Sequence, residues 1–201
     1  WHLALNTAAC LAHVGHKIVF VNPGSGVTPK WDAFPVLNLN EPGLPEMIAD
    51  ARAKGCLEFA NGFEGDWSAD RIWLAIDTPV NERDEADVTP LLAVAQNVKK
   101  SGVCSGPFIM SSQIPLGFSQ RIEREFGFEA VYVPENMRLG KGIETFLRAD
   151  RTVIGATRLE LRAEIQTFMK GFTTDFLTCD LPTSEMVKHA TNIFLAMSIS
   201  F

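Results

Sequence analysis

Near the end of the chain Glu185, Lys188 and Asn192 stand at spacing i, i+3, i+7. At roughly 100° per residue this places a carboxylate, an ammonium and an amide within about 60° of one another on one helix face. Such a face can stabilise developing negative charge when it borders a dry site. With no site to serve, the same trio is a solvated face whose Glu–Lys pair is worth only about 0.2–0.5 kcal/mol. Met186, Ala190, Ile193 and Met197 form a second, apolar stripe on the same segment. That pattern predicts a largely buried helix, in which a lysine and an asparagine need polar partners.

Three apolar runs end in polar residues and proline. Asp77-Thr78-Pro79 follows RIWLAI, Ser111–Gly117 (SSQIPLG) follows PFIM, and Pro134-Glu135-Asn136 follows AVYV. Proline after one strand marks only a turn, but ligands in open parallel sheets sit beyond the carboxyl ends of the strands. Three such ends together predict the lining of a cleft.

These residues need a scaffold, and the pattern supplies one. Residues 3–14 are rich in Ala and Leu and predict a helix stopped by Gly15. HKIVFVN (16–22) is a β-branched strand. Residues 23–43 are broken by Pro and Gly and predict irregular chain. Residues 44–55 predict a helix, with Pro45 near its start and Gly55 at its stop. Further strands are expected at 56–61, 71–76, 107–110, 130–134 and 151–155, and further helices at 87–102, 118–127, 158–172 and 183–201. Short apolar strands alternating with helices predict an α/β fold built on a doubly wound, mostly parallel sheet. The chain opens on a helix rather than a strand, so the first strand of that sheet is expected before residue 1.

The 201 residues suffice for one sizeable domain or a domain with an appendage. A net charge of −6 argues against nucleic acid or an anionic membrane as the main partner. No apolar run reaches membrane-span length, and the first residues lack the basic start of a signal peptide. Cys10, Cys56, Cys104 and Cys179 are scattered without metal-ligand or redox spacing. They are expected to be reduced thiols of a cytoplasmic protein, and no metal site is expected.

Seven ordered strings together resemble the UDP-glucose/GDP-mannose, or nucleotide-sugar 6-dehydrogenase, family: LNTAACLAHVGHKIVFVN, NEPGLPEMI, IDTP, SSQIPLG, VPENMRLGKGI, DRTVIG and TSEMVKHATNIFLAMSISF. The resemblance implies a Rossmann-like NAD-binding domain over 1–182 and the start of a long central helix over 183–201. It implies NAD-dependent oxidation of a nucleotide sugar's C6 alcohol to the carboxylate, in two hydride transfers with a cysteine holding the intermediate aldehyde. It makes Glu135 the acid–base or water-positioning glutamate, and Lys188 and Asn192 the oxyanion-stabilising pair. Asn136, Met137, Arg138 and Leu139 correspond to the segment whose backbone holds the nucleotide-sugar diphosphate. Trp1, Leu3, Ala4, Asn22, Thr78, Ser112 and Gln113 fall at cofactor positions. A homodimer through the last helix is implied as well.

Several positions depart from the family pattern. Trp1 stands at the second glycine of the cofactor fingerprint and Ala4 at the third. Asn22 replaces the acidic reader of the ribose, Gln113 a threonine and Leu139 a glutamate. None of the four cysteines aligns with the catalytic one, so the 201 residues alone are expected to be inactive. Two other readings stay open at this point: a truncated, non-catalytic nucleotide-binding or assembly module, and a single-step relative of the hydroxyacid or 6-phosphogluconate type.

Overall fold

The computed structural model describes residues 2–23, 40–83, 85–135 and 137–200. In chain order the elements are α1 (His2–His13), β1 (Ile18–Asn22), α2 (Leu44–Ala53), β2 (Leu57–Asn61), β3 (Ile72–Leu74), α3 (Thr89–Ser101), β4 (Phe108–Met110), α4 (Phe118–Phe126), β5 (Ala130–Tyr132), α5 (Gly142–Leu147), β6 (Thr152–Ala156), α6 (Leu159–Phe168), β7 (Phe176–Cys179) and α7 (Leu181–Ser200). They divide into two compact units, Trp1–Trp67 with Asn136–Ala149, and Ser68–Glu135 with Asp150–Phe201. Of the irregular segment expected at 23–43, residues 24–39 lie outside the described residues, as do Trp1 and Asn136.

In the first unit β1 and β2 run parallel, in register from Ile18 opposite Leu57 to Asn22 opposite Asn61. The helical face of α1 that carries Leu5, Ala8, Ala9 and Ala12 packs on Phe20, Leu44, Ile48, Ala51 and Leu57. Three of the four α1 contacts are alanines, so the helix can lie close to its neighbours. Helix α2 opens with a proline in its first turn, where the missing N–H costs nothing.

The second unit holds a five-stranded sheet in the order β3-β4-β5-β6-β7. Strands β3, β4 and β5 are parallel, with Leu74, Met110 and Tyr132 aligned across them. Residues 75–79, 111–113 and 133–135 therefore leave the sheet at one edge, as the polar strand ends require. Phe108, Ile109, Met110, Ala130 and Val131 are fully buried, which explains why these strands read as unbroken apolar runs.

Strand β6 is antiparallel to β5, pairing Val131 with Ala156. The residues that join them, 136–149, belong to the other unit. No helix of the second unit bridges β5 and β6, so the crossover that makes neighbouring strands parallel is missing there. Strand β7 then pairs parallel with β6. At Gly155 an added Cβ would lie 1.8 Å from Ser184 Oγ and 3.0 Å from the Asp180 carbonyl oxygen. Only glycine lets β6 and the start of α7 approach this closely.

Candidate active site

The SSQIPLG string ties three strand ends together. The Ser111 hydroxyl donates to the Val133 carbonyl at 2.8 Å and accepts from Trp73 Nε1 at 3.0 Å. The Ser112 hydroxyl accepts from the Ile76 amide at 3.1 Å, and the Tyr132 hydroxyl donates to the Ser112 carbonyl at 3.3 Å. Thr78 Oγ1 donates to the Gln113 carbonyl. Ser111 and Ser112 are buried, whereas the Gln113 side chain is exposed. The serines hold β3, β4 and β5 in place at their ends. Pro115 to Gly117 then turn the chain into α4.

Helix α7 lies along this turn, with Glu185 and His189 facing it and Lys188 reaching the end of β5. Glu185 is fully buried and accepts from the amides of Gly117 at 2.5 Å and Ser119 at 2.8 Å, capping the first turn of α4. His189 Nε2 lies 2.9 Å from the Ile114 carbonyl. A carbonyl only accepts, so Nε2 carries the hydrogen. The Lys188 ammonium donates to the Glu135 carbonyl. Glu185 and Lys188 thus serve separate partners and not simply each other. His189 was not singled out by the sequence, although its i+4 relation to Glu185 is the available signal. Asn192 is half-buried one turn beyond Lys188.

Burial pushes the Glu135 carboxyl up to about 7, against the opposing pull of the Lys188 charge. An acid at that value can give and take a proton near neutral pH. Burial, with the charges of Glu185 and Glu135, pushes the Tyr132 phenol up, so it remains a neutral donor. The apolar stripe of α7 is open in this chain, for Met186, Ile193 and Met197 are each about half exposed or more, at 47%, 59% and 55%.

The first unit carries the other predicted residues. Leu3 and Ala4 are half-buried in the first turn of α1. Asn22 is the last residue of β1 and is buried, and its carbonyl accepts from the Gly62 amide at 2.7 Å. A helix start and the carboxyl end of a parallel strand are positions that suit a dinucleotide. Ala4 adds only a methyl group there. Met137 is half-buried, and Arg138 and Leu139 are exposed. The Arg138 carbonyl accepts from the Lys141 amide at 2.9 Å, forming the turn that leads into α5. Among the described residues no helix is long and apolar enough to cross a membrane.

The family model for the NAD-binding domain of the UDP-glucose/GDP-mannose dehydrogenase family matches residues 2–173. A UDP-glucose 6-dehydrogenase of Bacillus subtilis is 27% identical over 211 residues, covering 100% of this chain and 45% of that protein. One of Rhizobium meliloti is 30% identical over 218 residues, covering 100% of this chain and 49% of that protein. The solved structure of a UDP-glucose dehydrogenase from Pyrobaculum islandicum superposes with a TM-score of 0.82 at 27% identity, over 98% of this chain and 48% of that one. The chain spans about half the length of the curated relatives it matches.

Proposed function

Because this chain belongs to the UDP-glucose/GDP-mannose dehydrogenase family and carries its NAD-binding domain, we propose that it serves the oxidation of a nucleotide sugar's C6 alcohol to the uronic acid. Residues 1–182 would form the cofactor domain, and 183–201 the start of the central helix. The observation that carries this reading is the half-buried Glu135 carboxyl, raised to about 7, whose backbone is held by Lys188. Bound NAD supplies the hydride acceptor. Glu135 would hold or move a proton at its carboxyl, or orient the attacking water. Lys188 and Asn192, a turn apart, would stabilise negative charge on the sugar C6 oxygen.

Leu3, Ala4 and Asn22 would receive the cofactor, with Trp1 preceding them in the chain. Asn22 can hydrogen-bond a ribose hydroxyl. Thr78 and Ser112 have their hydroxyls committed to neighbouring backbone, so they would act by fixing the strand ends. Gln113 has the exposed side chain and the freer reach. The backbone of Met137, Arg138 and Leu139, with Asn136, would hold the diphosphate. Ile193, Phe194 and Met197, exposed at 59%, 70% and 55%, support a homodimer through α7. The test is NADH formation by the intact protein with UDP-glucose. Two NADH per sugar consumed supports the four-electron oxidation. One per sugar points to a single-step dehydrogenase, and none removes the catalytic reading.

A further inference from the structure

Glu41 is 4% exposed and has no part in the site described so far. Its carboxylate receives three donors from two distant parts of the first unit. Oε2 lies 2.8 Å from His2 Nε2, in the first turn of α1, and accepts from the Gly140 amide at 3.1 Å. Oε1 accepts from the Ile143 amide at 3.3 Å. Gly140 directly follows Leu139, and Ile143 lies in the first turn of α5. The fit is tight. A Cβ added at Gly142 would meet Glu41 Oε2 and Asn6 Cγ, each at 3.1 Å. Asn6 is itself fully buried, with its amide nitrogen on the His2 carbonyl at 2.9 Å. The charge reaches further into α1: the Cys10 thiol is pushed up to about 12 by burial and, second, by Glu41.

A buried carboxylate is an expensive way to hold a turn, because its desolvation must be offset by good partners. A neutral acceptor could satisfy one amide. A carboxylate is acceptor-only and can serve the His2 ring and two amides at once with fixed directions. It thereby fixes the far end of the 137–143 segment to the start of α1. We propose that Glu41 is a positioning residue that holds the backbone of 137–143 in the conformation that receives the diphosphate of the nucleotide sugar. The proposal rests on the reading above, in which residues 136–139 contact that diphosphate.

Glu41→Gln keeps the shape but turns one acceptor oxygen into a donor facing another donor. His2→Ala cuts only the link to α1. Both are compared with the unaltered intact protein, using UDP-glucose and NAD as separate titrants, kcat and KM, and hydrogen–deuterium exchange of the peptide spanning 137–147. Losing a charge-assisted hydrogen bond that orders the segment should weaken UDP-glucose binding by about tenfold. KM for UDP-glucose should rise in step, with kcat and the NAD affinity within about threefold of their original values. Exchange over 137–147 should quicken in Glu41→Gln, and His2→Ala, which cuts the link to α1 but keeps both amide bonds, should weaken UDP-glucose binding in the same direction by a smaller factor. A role in stability alone would lower the folded fraction and leave KM unmoved. Unchanged UDP-glucose affinity in Glu41→Gln, or unchanged exchange over 137–147, overturns the proposal. If the unaltered protein binds no UDP-glucose, the functional reading fails first and takes the affinity claim with it. Should Glu41→Gln not fold, Glu41→Asp keeps the charge but withdraws it by one methylene, and the same expectations apply to it.

Discussion

The Lys188 ammonium donates to the backbone carbonyl of Glu135, 53 residues earlier in the chain. One contact thus joins the end of β5 to α7 and places a positive charge near a half-buried carboxyl. Lys188 pulls the Glu135 carboxyl down, while burial pushes it up more strongly. The pair is tuned by two opposed effects, and each can be removed separately.

Removing the charge is the first test. In Lys188→Ala the downward pull on Glu135 is lost, so that carboxyl should titrate above about 7. If Lys188 also stabilises an oxyanion, kcat of the intact protein should fall by about 100-fold or more. The pH dependence of kcat/KM measures the first effect and saturating kinetics the second. Unchanged turnover would confine Lys188 to holding β5.

The Glu135 carboxyl also makes stability depend on pH. Its folded-state value of about 7 lies above the ordinary 4.5. Between those values the folded protein keeps a proton that the unfolded chain has released. Stability from this group is therefore greatest below about 4.5 and declines as pH rises to about 7, by a few kcal/mol at most. Glu135→Gln should flatten that part of the curve. Denaturant unfolding at pH 4.5, 5.5, 6.5 and 7.5 measures it, and an identical slope in the variant would mean that Glu135 does not carry the shift.

The strand ends and the helix face were legible because both rest on local pattern. Thr78, Ser111 and Glu135 lie within two residues of the ends of apolar runs, and Glu185, Lys188 and Asn192 share a helical period. Partners across long separations were not legible. Glu41 meets His2 and Gly140 at separations of 39 and 99 residues, and nothing local marks either contact. Its Glu-Pro-Gly-Leu string resembles the family, yet resemblance does not say which amides the carboxylate accepts from. Helix α5 has six residues, too few for a periodic signal. Strand β7 has four, FLTC, a short run interrupted by Thr178 and flanked by Asp175 and Asp180, so it does not stand out as its neighbours do. The exposed stripe of α7 shows the converse limit. Its apolar period predicts a covered face, but a period does not say what covers it.

Gly155 offers a test of packing that is independent of catalysis. In Gly155→Ala the new methyl would overlap Ser184 Oγ, an atom that donates to the Leu181 carbonyl at 2.8 Å in a fully buried site. Overpacking of this kind costs about 1–3 kcal/mol. Adding Ser184→Gly removes the obstructing side chain and should return part of that loss, so the two changes should not add. Thermal unfolding of the single and double variants gives the coupling. Simple additivity would show that β6 and α7 are free to move apart.

Asn22 tests the cofactor side. It closes β1, pairs in register with Asn61 and is 7% exposed. A carboxylate at the end of this strand accepts from ribose hydroxyls and repels a 2′-phosphate, whereas an amide does the first without the second. If Asn22 faces the ribose, Asn22→Asp should raise the preference for NAD over NADP by about tenfold or more, since even a like-charge contact in bulk water is worth about 1 kcal/mol. The quantity to measure is the ratio of the two dissociation constants, at low and at moderate salt. The ratio should shrink only slightly as salt rises, because a charge at this buried position is weakly screened. A ratio that the substitution leaves unchanged at both salt concentrations would place Asn22 away from the ribose and leave discrimination to other residues.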